Sequence, residues 1–207
     1  MNADQIKAYF DAHSRPSEIF DMIPSTNAYL KECRKDAGTL VIALSQSAGH
    51  GQYDRVFESP RSGLYMSVCV DFRPGIPMTL AAANAVTDTL YAYFGISCAV
   101  KWVNDIISNG RKLCGILAES VFKGDDSYTV VGFGLNIKKG VLSREISDIA
   151  VSLEELLGED LPEDILAPLA LGIVENLEKE LARDKQEIVE RYKKRCLTGI
   201  PEGAMLI

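Results

Sequence analysis

The apolar residues of this chain change period partway along, and that limits the architecture more than any other feature. From Leu64 to Phe72 (LYMSVCVDF) they alternate, so Leu64, Met66, Val68, Val70 and Phe72 share one face of a half-buried strand. From Thr79 to Phe94 the spacing becomes helical. Leu80, Ala83, Val86, Leu90 and Phe94 form one stripe, and Gly95 stands where a helix would end. Beyond it, Gly95–Val100 (GISCAV) reads as a strand, Asn109-Gly110 as a two-residue hairpin turn, and Lys112–Val121 as the return strand. Tyr128–Ile137 (YTVVGFGLNI) is a further strand interrupted by two glycines. Thr39–Gln46 is β-branched and apolar, a strand, and Pro24 with Ser25 and Thr26 marks the start of a helix over about Asn27–Lys35. Leu166, Leu169, Ile173, Leu177 and Leu181 form a late helical stripe. Strands joined here by hairpins and there by helices predict an α+β domain with a mixed, mostly antiparallel sheet flanked by helices.

A chain of 207 residues with 47% apolar and 25% charged residues makes one ordinary globular domain. The net charge of −7 argues against a protein that coats nucleic acid. No run approaches the roughly 20 apolar residues of a membrane-spanning helix, and MNADQIKAYF lacks a signal-peptide pattern, so a cytoplasmic location is expected. The five cysteines include no C-x-x-C pair, and His13 and His50 are far apart, which disfavours a zinc site or a histidine-dependent triad.

Four stretches offer chemistry. In GHGQYDR (Gly49–Arg55) two glycines flank His50; the loop is either an ordinary surface turn or a backbone cradle for an anion, with Arg55 adding a planar charge. KWVND (Lys101–Asp105) ends a strand. Its lysine either forms a strand-end salt bridge or faces a developing negative charge, and Asp105 would orient it or hold Mg²⁺. The glycines of GFGLNI (Gly132–Ile137) mark either sheet twist or the close approach of another group. Ser25-Thr26-Asn27 reads most simply as a helix cap.

Taken in order, these stretches resemble the catalytic domain of biotin–protein ligases. The matching strings are Ser25-Thr26-Asn27, QSAGHGQYDR (Gln46–Arg55), SPRSGLYMS (Ser59–Ser67), KWVNDI, KLCGILAE (Lys112–Glu119) and GFGLNI, spread over Phe20–Cys196. The resemblance implies a class II synthetase-like biotin/lipoate ligase fold. It also implies an ATP-dependent biotin–[acetyl-CoA-carboxylase] ligase. Biotin would be activated to biotinyl-5′-AMP and then passed to a lysine of a biotin carboxyl carrier domain. Lys101 would be the catalytic charge. Ser25, Thr26, Asn27, Gln46, Gly49, His50, Gly51, Gln52, Lys101, Gly115 and Leu117 would bind biotin. Arg55, Asn104 and Asn136 would bind ATP or the adenylate, and Asp105 is the candidate magnesium ligand. Residues 1–196 would be the catalytic domain and 197–207 a short tail in place of the usual SH3-like barrel, without an N-terminal DNA-binding domain. The implied partners are biotin, ATP and the carrier, with neither DNA nor membrane, and a homodimer is compatible. The family's two loop arginines are replaced by His50 and Gln52, which predicts weaker retention of the adenylate; its Trp-Pro is Trp102-Val103, a change expected to affect only the turn. Two other readings fit the same strings: a biotin- or adenylate-binding protein with little transfer, and a lipoate-type ligase.

Overall fold

The computed structural model describes residues 2–33, 35–52, 55–123 and 126–201. The described elements run, in chain order, α1 (Ala3–Ala12), β1 (Ser17–Phe20), α2 (Thr26–Glu32), β2 (Leu40–Ala43), β3 (Gly63–Asp71), α3 (Met78–Phe94), β4 (Ala99–Lys101), β5 (Asp105–Ser108), β6 (Arg111–Lys123), β7 (Asp126–Asn136), α4 (Leu153–Leu157), a 3₁₀ turn (Glu163–Ile165), α5 (Leu166–Leu181) and α6 (Lys185–Lys193). The described strands form one seven-stranded sheet in the order β1-β2-β3-β7-β6-β5-β4. Only the β1–β2 pair is parallel, so the sheet is mixed and mostly antiparallel, as the joining pattern predicts.

The hairpin turn stands where expected. Asn109 and Gly110 both take positive φ (49° and 77°), the type I′ geometry that matches strand twist. Gly95 closes α3 in the left-handed conformation at φ 66°. Three strands differ from expectation. The strand expected over Gly95–Val100 is confined to Ala99–Lys101, and the one expected over Thr39–Gln46 to Leu40–Ala43. β3 is not half-buried: Tyr65, Ser67 and Cys69 are as enclosed as Leu64, Met66 and Val68. The reason is a second layer, since α2 lies over the face opposite the main helices. There Leu30 packs with Val41, Cys69, Tyr128 and Val130. The larger core lies on the other face, where Met66, Ile116, Phe133 and Leu135 meet α3 and α5. Four alanines of α3 (Ala81, Ala82, Ala83 and Ala85) are fully buried, which lets that helix be enclosed almost all round.

The helical layer is locked by charge. Glu180 of α5, 2% exposed, accepts from Asn84 Nδ2 (2.9 Å), Arg183 Nε (3.0 Å) and Arg191 Nε (2.8 Å). Asp88 of α3 takes Arg191 Nη2 at 2.6 Å and Arg195 Nη2 at 2.5 Å. This network seats α6, whose Tyr192 hydroxyl donates to the Val103 carbonyl at 3.0 Å and whose ring meets Trp102 edge-on. The segment after α6 then pairs with β4 through a parallel bridge from Val100 to Cys196. The turn between β4 and β5, which includes a cis Trp102–Val103 peptide, is thereby fixed from the helical side. Glu180→Ala would remove the acceptor shared by Asn84, Arg183 and Arg191, leaving Arg191 its bond to Asp88 and Arg183 its bond to Glu187. A loss of about 1–3 kcal/mol is expected in denaturant unfolding, with the slope of the transition unchanged.

Candidate functional site

The site is assembled from the start of α2, the segment after β2, and the exposed strip of β6 and β7. Ser25 caps α2, its Oγ accepting from Ala28 N, so the cap reading of Ser25-Thr26-Asn27 holds. The same three side chains, each about 5% exposed or less, also form one end of a slot over the sheet. Gln46 is fixed beside them. Its Oε1 accepts from Thr26 N (2.9 Å) and lies 3.2 Å from Thr26 Oγ1, and its Nε2 donates to Ser59 Oγ (3.0 Å). A network in which each amide end has its own partners holds side chains in one rotamer.

The floor of the slot is made by missing side chains. Gly115 of β6 is the register partner of Gly134 of β7, and Leu117 is the partner of Gly132. A Cβ on Gly134 would stand 2.5 Å from the Phe57 ring, and one on Gly132 would stand 2.0 Å from Asn27 Oδ1. Both glycines of GFG thus mark close approach, and the approaching groups are Phe57 and Asn27. With Phe57 lying over the glycines, the slot encloses only about 50 Å³. A second cavity of about 480 Å³ adjoins it, with Val56, Asn136, Ile146 and Ile149 in its walls. Phe57 and Lys112 line both cavities, so they stand at the partition.

Lys112 is the residue that sequence reasoning missed. Strict alternation from Gly115 and Leu117 would turn it to the opposite face of β6. A bulge prevents this: Ile106 pairs with Cys114 and Ile107 with Lys112, leaving Leu113 as the extra residue. The bulge restores Lys112 to the face of Gly115 and Leu117. Its Nζ then lies 2.7 Å from Asp105 Oδ1 and 5.4 Å from the centroid of Phe57. Its backbone is held from the far side as well, donating to Ile149 O (2.8 Å) and accepting from Val151 N (2.9 Å). The register shift between β5 and β6 leaves no mark in the sequence that distinguishes Lys112 from Lys101.

Of the residues expected to bind, Ser25, Thr26, Asn27, Gln46, His50, Gly51, Asn104, Gly115 and Leu117 line the slot. Lys101 does not. It is the last residue of β4 and exposed, and its register partner Asp105 is engaged by Lys112. The structure therefore moves the cavity's lysine from Lys101 to Lys112. Gly49 serves the loop itself, because a Cβ there would meet Ser59 Oγ at 2.5 Å and Phe57 O at 2.6 Å. Gln52 is outside the lining and Arg55 is exposed on the loop, whose Tyr53 and Asp54 lie outside the described residues. Asn136 lines the second cavity, where its Nδ2 also donates to Val151 O at 3.2 Å. Asp105 holds Lys112, and among the described residues no group of three or more His, Cys, Asp or Glu side chains could hold a metal ion.

A rigid polar end, a glycine floor and a lysine at the partition to a second cavity make up the candidate site of this α+β domain. The chain belongs to the Biotin/lipoate A/B protein ligase family, whose model matches residues 19–136. It is 38% identical over 154 residues to the bifunctional ligase/repressor BirA of Bacillus spizizenii, covering 68% of this chain and 47% of that protein. It is 33% identical over 129 residues to the biotin–[acetyl-CoA-carboxylase] ligase of Mycobacterium tuberculosis, covering 58% of this chain and 46% of that protein. The chain thus spans about half the length of these curated relatives. The biotin protein ligase of Aquifex aeolicus in complex with biotin and ATP superimposes with a TM-score of 0.78 at 25% identity, covering 88% of this chain and 79% of that one.

Gly132→Ala would drive a methyl into Asn27 Oδ1. Overpacking of this kind is expected to cost about 1–3 kcal/mol in chemical unfolding. A stability within error of the wild type would show that Asn27 is not held over Gly132.

Proposed function

We propose that this chain is an ATP-dependent biotin–protein ligase that forms biotinyl-5′-AMP and passes biotin to a lysine of a carrier domain. The observation that carries the reading is Lys112, placed where the slot meets the second cavity and braced by Asp105. Ser25, Thr26, Asn27 and Gln46 suit a neutral ring bearing amide-like donors and an acceptor. Leu117 and Phe57 suit an apolar chain, and the second cavity, with Asn136 in its wall, suits a purine. The chain's carboxylate would then emerge beside Lys112. In the first step a carboxylate oxygen attacks the α-phosphorus, the Pα–O bond to the leaving group breaks, and pyrophosphate departs. In the second, the carrier's neutral amine attacks the acyl carbon, AMP leaves, and the amine gives up a proton. Lys112 would stabilise the charge on the oxygens in both steps.

ATP would arrive with its own Mg²⁺. Asp105 is occupied by Lys112, so the chain's residues do not fit a dedicated magnesium cage, and Asp105 is read as the group that aims the lysine. The carrier is proposed to be the biotin carboxyl carrier domain of an acetyl-CoA carboxylase-type enzyme, by likeness to the mycobacterial relative. The thiols of Cys33, Cys98, Cys114 and Cys196 suit a cytoplasmic setting. No described helix is long and apolar enough to cross a membrane. A second reading, ligand binding with little transfer, is favoured by the exposure of Arg55 and by His50 in the slot wall.

Pyrophosphate release with biotin and ATP-Mg²⁺, followed by labelling of a carrier domain, tests both readings. Wild type and Lys101→Ala should turn over, whereas Lys112→Ala should fall by about 100-fold or more, the scale of losing a preorganised charge. Biotin binding without pyrophosphate release would select the second reading. Turnover unaffected by Lys112→Ala would remove the first mechanism, and preferential use of lipoate would reassign the substrate.

A further inference from the structure

Glu119 lies outside the slot lining, yet it is tied to one of the slot's polar residues. Asn27 Nδ2 donates to Glu119 Oε2 (2.9 Å) and to the Leu117 carbonyl (3.2 Å). Neither partner can donate: one is a carboxylate and the other a main-chain carbonyl. The Asn27 amide therefore has one permitted orientation, with nitrogen toward β6 and oxygen away from it. Asn27 Oδ1 is met there by the fully buried Ser67 hydroxyl at 2.6 Å. Both amide hydrogens are then used. Among the described residues, the only hydrogen-bonding capacity that Asn27 has left is the second lone pair of Oδ1.

The carboxylate itself is held in turn. Lys31, one helical turn after Asn27 on α2, donates to Glu119 Oε1 at 2.7 Å, so the two carboxylate oxygens each take one α2 side chain. Burial works to raise the Glu119 carboxyl, but the hydrogen bonds from Lys31 and Asn27 outweigh it and keep it below the ordinary range. It is an acceptor at neutral pH. With the one Ser67 hydroxyl hydrogen on Asn27 Oδ1, the 2.7 Å contact between Ser67 Oγ and Thr26 Oγ1 takes the Thr26 hydrogen, while Gln46 Oε1 accepts from Thr26 N. One carboxylate at the edge of the site thus fixes the donor and acceptor sense from Asn27 through Ser67 to Thr26.

We propose that Glu119 is a positioning residue that fixes Asn27 as an acceptor-only group, so that the site selects a ring N–H of its ligand at this point and rejects a ring acceptor. The inference rests on the biotin reading above, in which that N–H belongs to the ureido ring.

The test uses calorimetry with biotin, with its two ring-N-methyl derivatives, and with ATP, on wild type, Glu119→Ala and Glu119→Gln. The glutamine variant keeps the volume should the alanine variant fold poorly. In wild type, one N-methyl derivative should bind at least about tenfold more weakly than biotin, the scale of one well-placed hydrogen bond. In Glu119→Ala, biotin should weaken by about tenfold, ATP should be unchanged, and the N-methyl penalty should shrink towards unity. Glu119→Gln should fall between, since its amide can present either a donor or an acceptor to Asn27. An N-methyl penalty that survives in Glu119→Ala, or parallel losses of biotin and ATP affinity, would overturn the role given to Glu119 while leaving the ligase reading standing. Wild type that binds no biotin would instead overturn the ligase reading and this inference with it.

Discussion

Three positions on β6 and β7 must be without side chains for the slot to exist, and much of the surrounding geometry answers to that. Gly115 and Gly134 face each other across the strand pair and carry the ring of Phe57, and Gly132 receives the amide of Asn27. Glycine in a strand is costly, because it loses backbone entropy and contributes no packing. The chain offsets that cost by length. β6 and β7 pair continuously from Cys114–Leu135 to Lys123–Asp126, and β3 supports β7 over its full nine residues. The glycines weaken a ladder that has pairing to spare, and the helical core beneath them is filled by Ile116, Phe133 and Leu135.

The second device is the bulge at Leu113. It disrupts the β5–β6 register at one point and turns a cation onto the ligand face at that same point. The surroundings keep Lys112 from relaxing away. Asp105 engages its ammonium group, Phe57 lies beside it, and Ile149 and Val151 hold its backbone. A lysine in such a setting keeps its direction, which a flexible surface lysine does not.

Much of this was legible in the residues. The α+β class followed from the change of apolar period, and Asn109-Gly110 fixed the hairpin that brings β6 back along β5. Ser25-Thr26-Asn27 read as a cap, which Ser25 supplies, and only the family resemblance grouped them with Gln46, beside which the structure sets them in the slot lining. The glycines of GFG were read as sites of approach or twist, and approach is what the structure has. Which lysine lines the slot was not legible. Lys101 ends one strand and Lys112 lies near the start of another, and side-chain alternation turns Lys112 away from the slot until a bulge is allowed for. The second covered face of β3 was missed for a related reason: α2 is short, and its burial depends on Leu30 meeting residues from three strands.

The edge at β4 has its own implication for how the molecule is put together. This three-residue strand pairs with β5 on one side and, on the other, with Cys196 from beyond the last helix. Its second partner comes from the chain beyond α6, where Arg195 is held to Asp88 of α3. Contacts separated by so much chain carry a loop-closure cost that local hairpins avoid. The β5–β6–β7 ladder is built from neighbouring sequence, whereas β4, which leads into Asp105, also pairs with the far end of the described chain. The carboxylate that braces Lys112 thus sits where local and long-range pairing meet in the sheet.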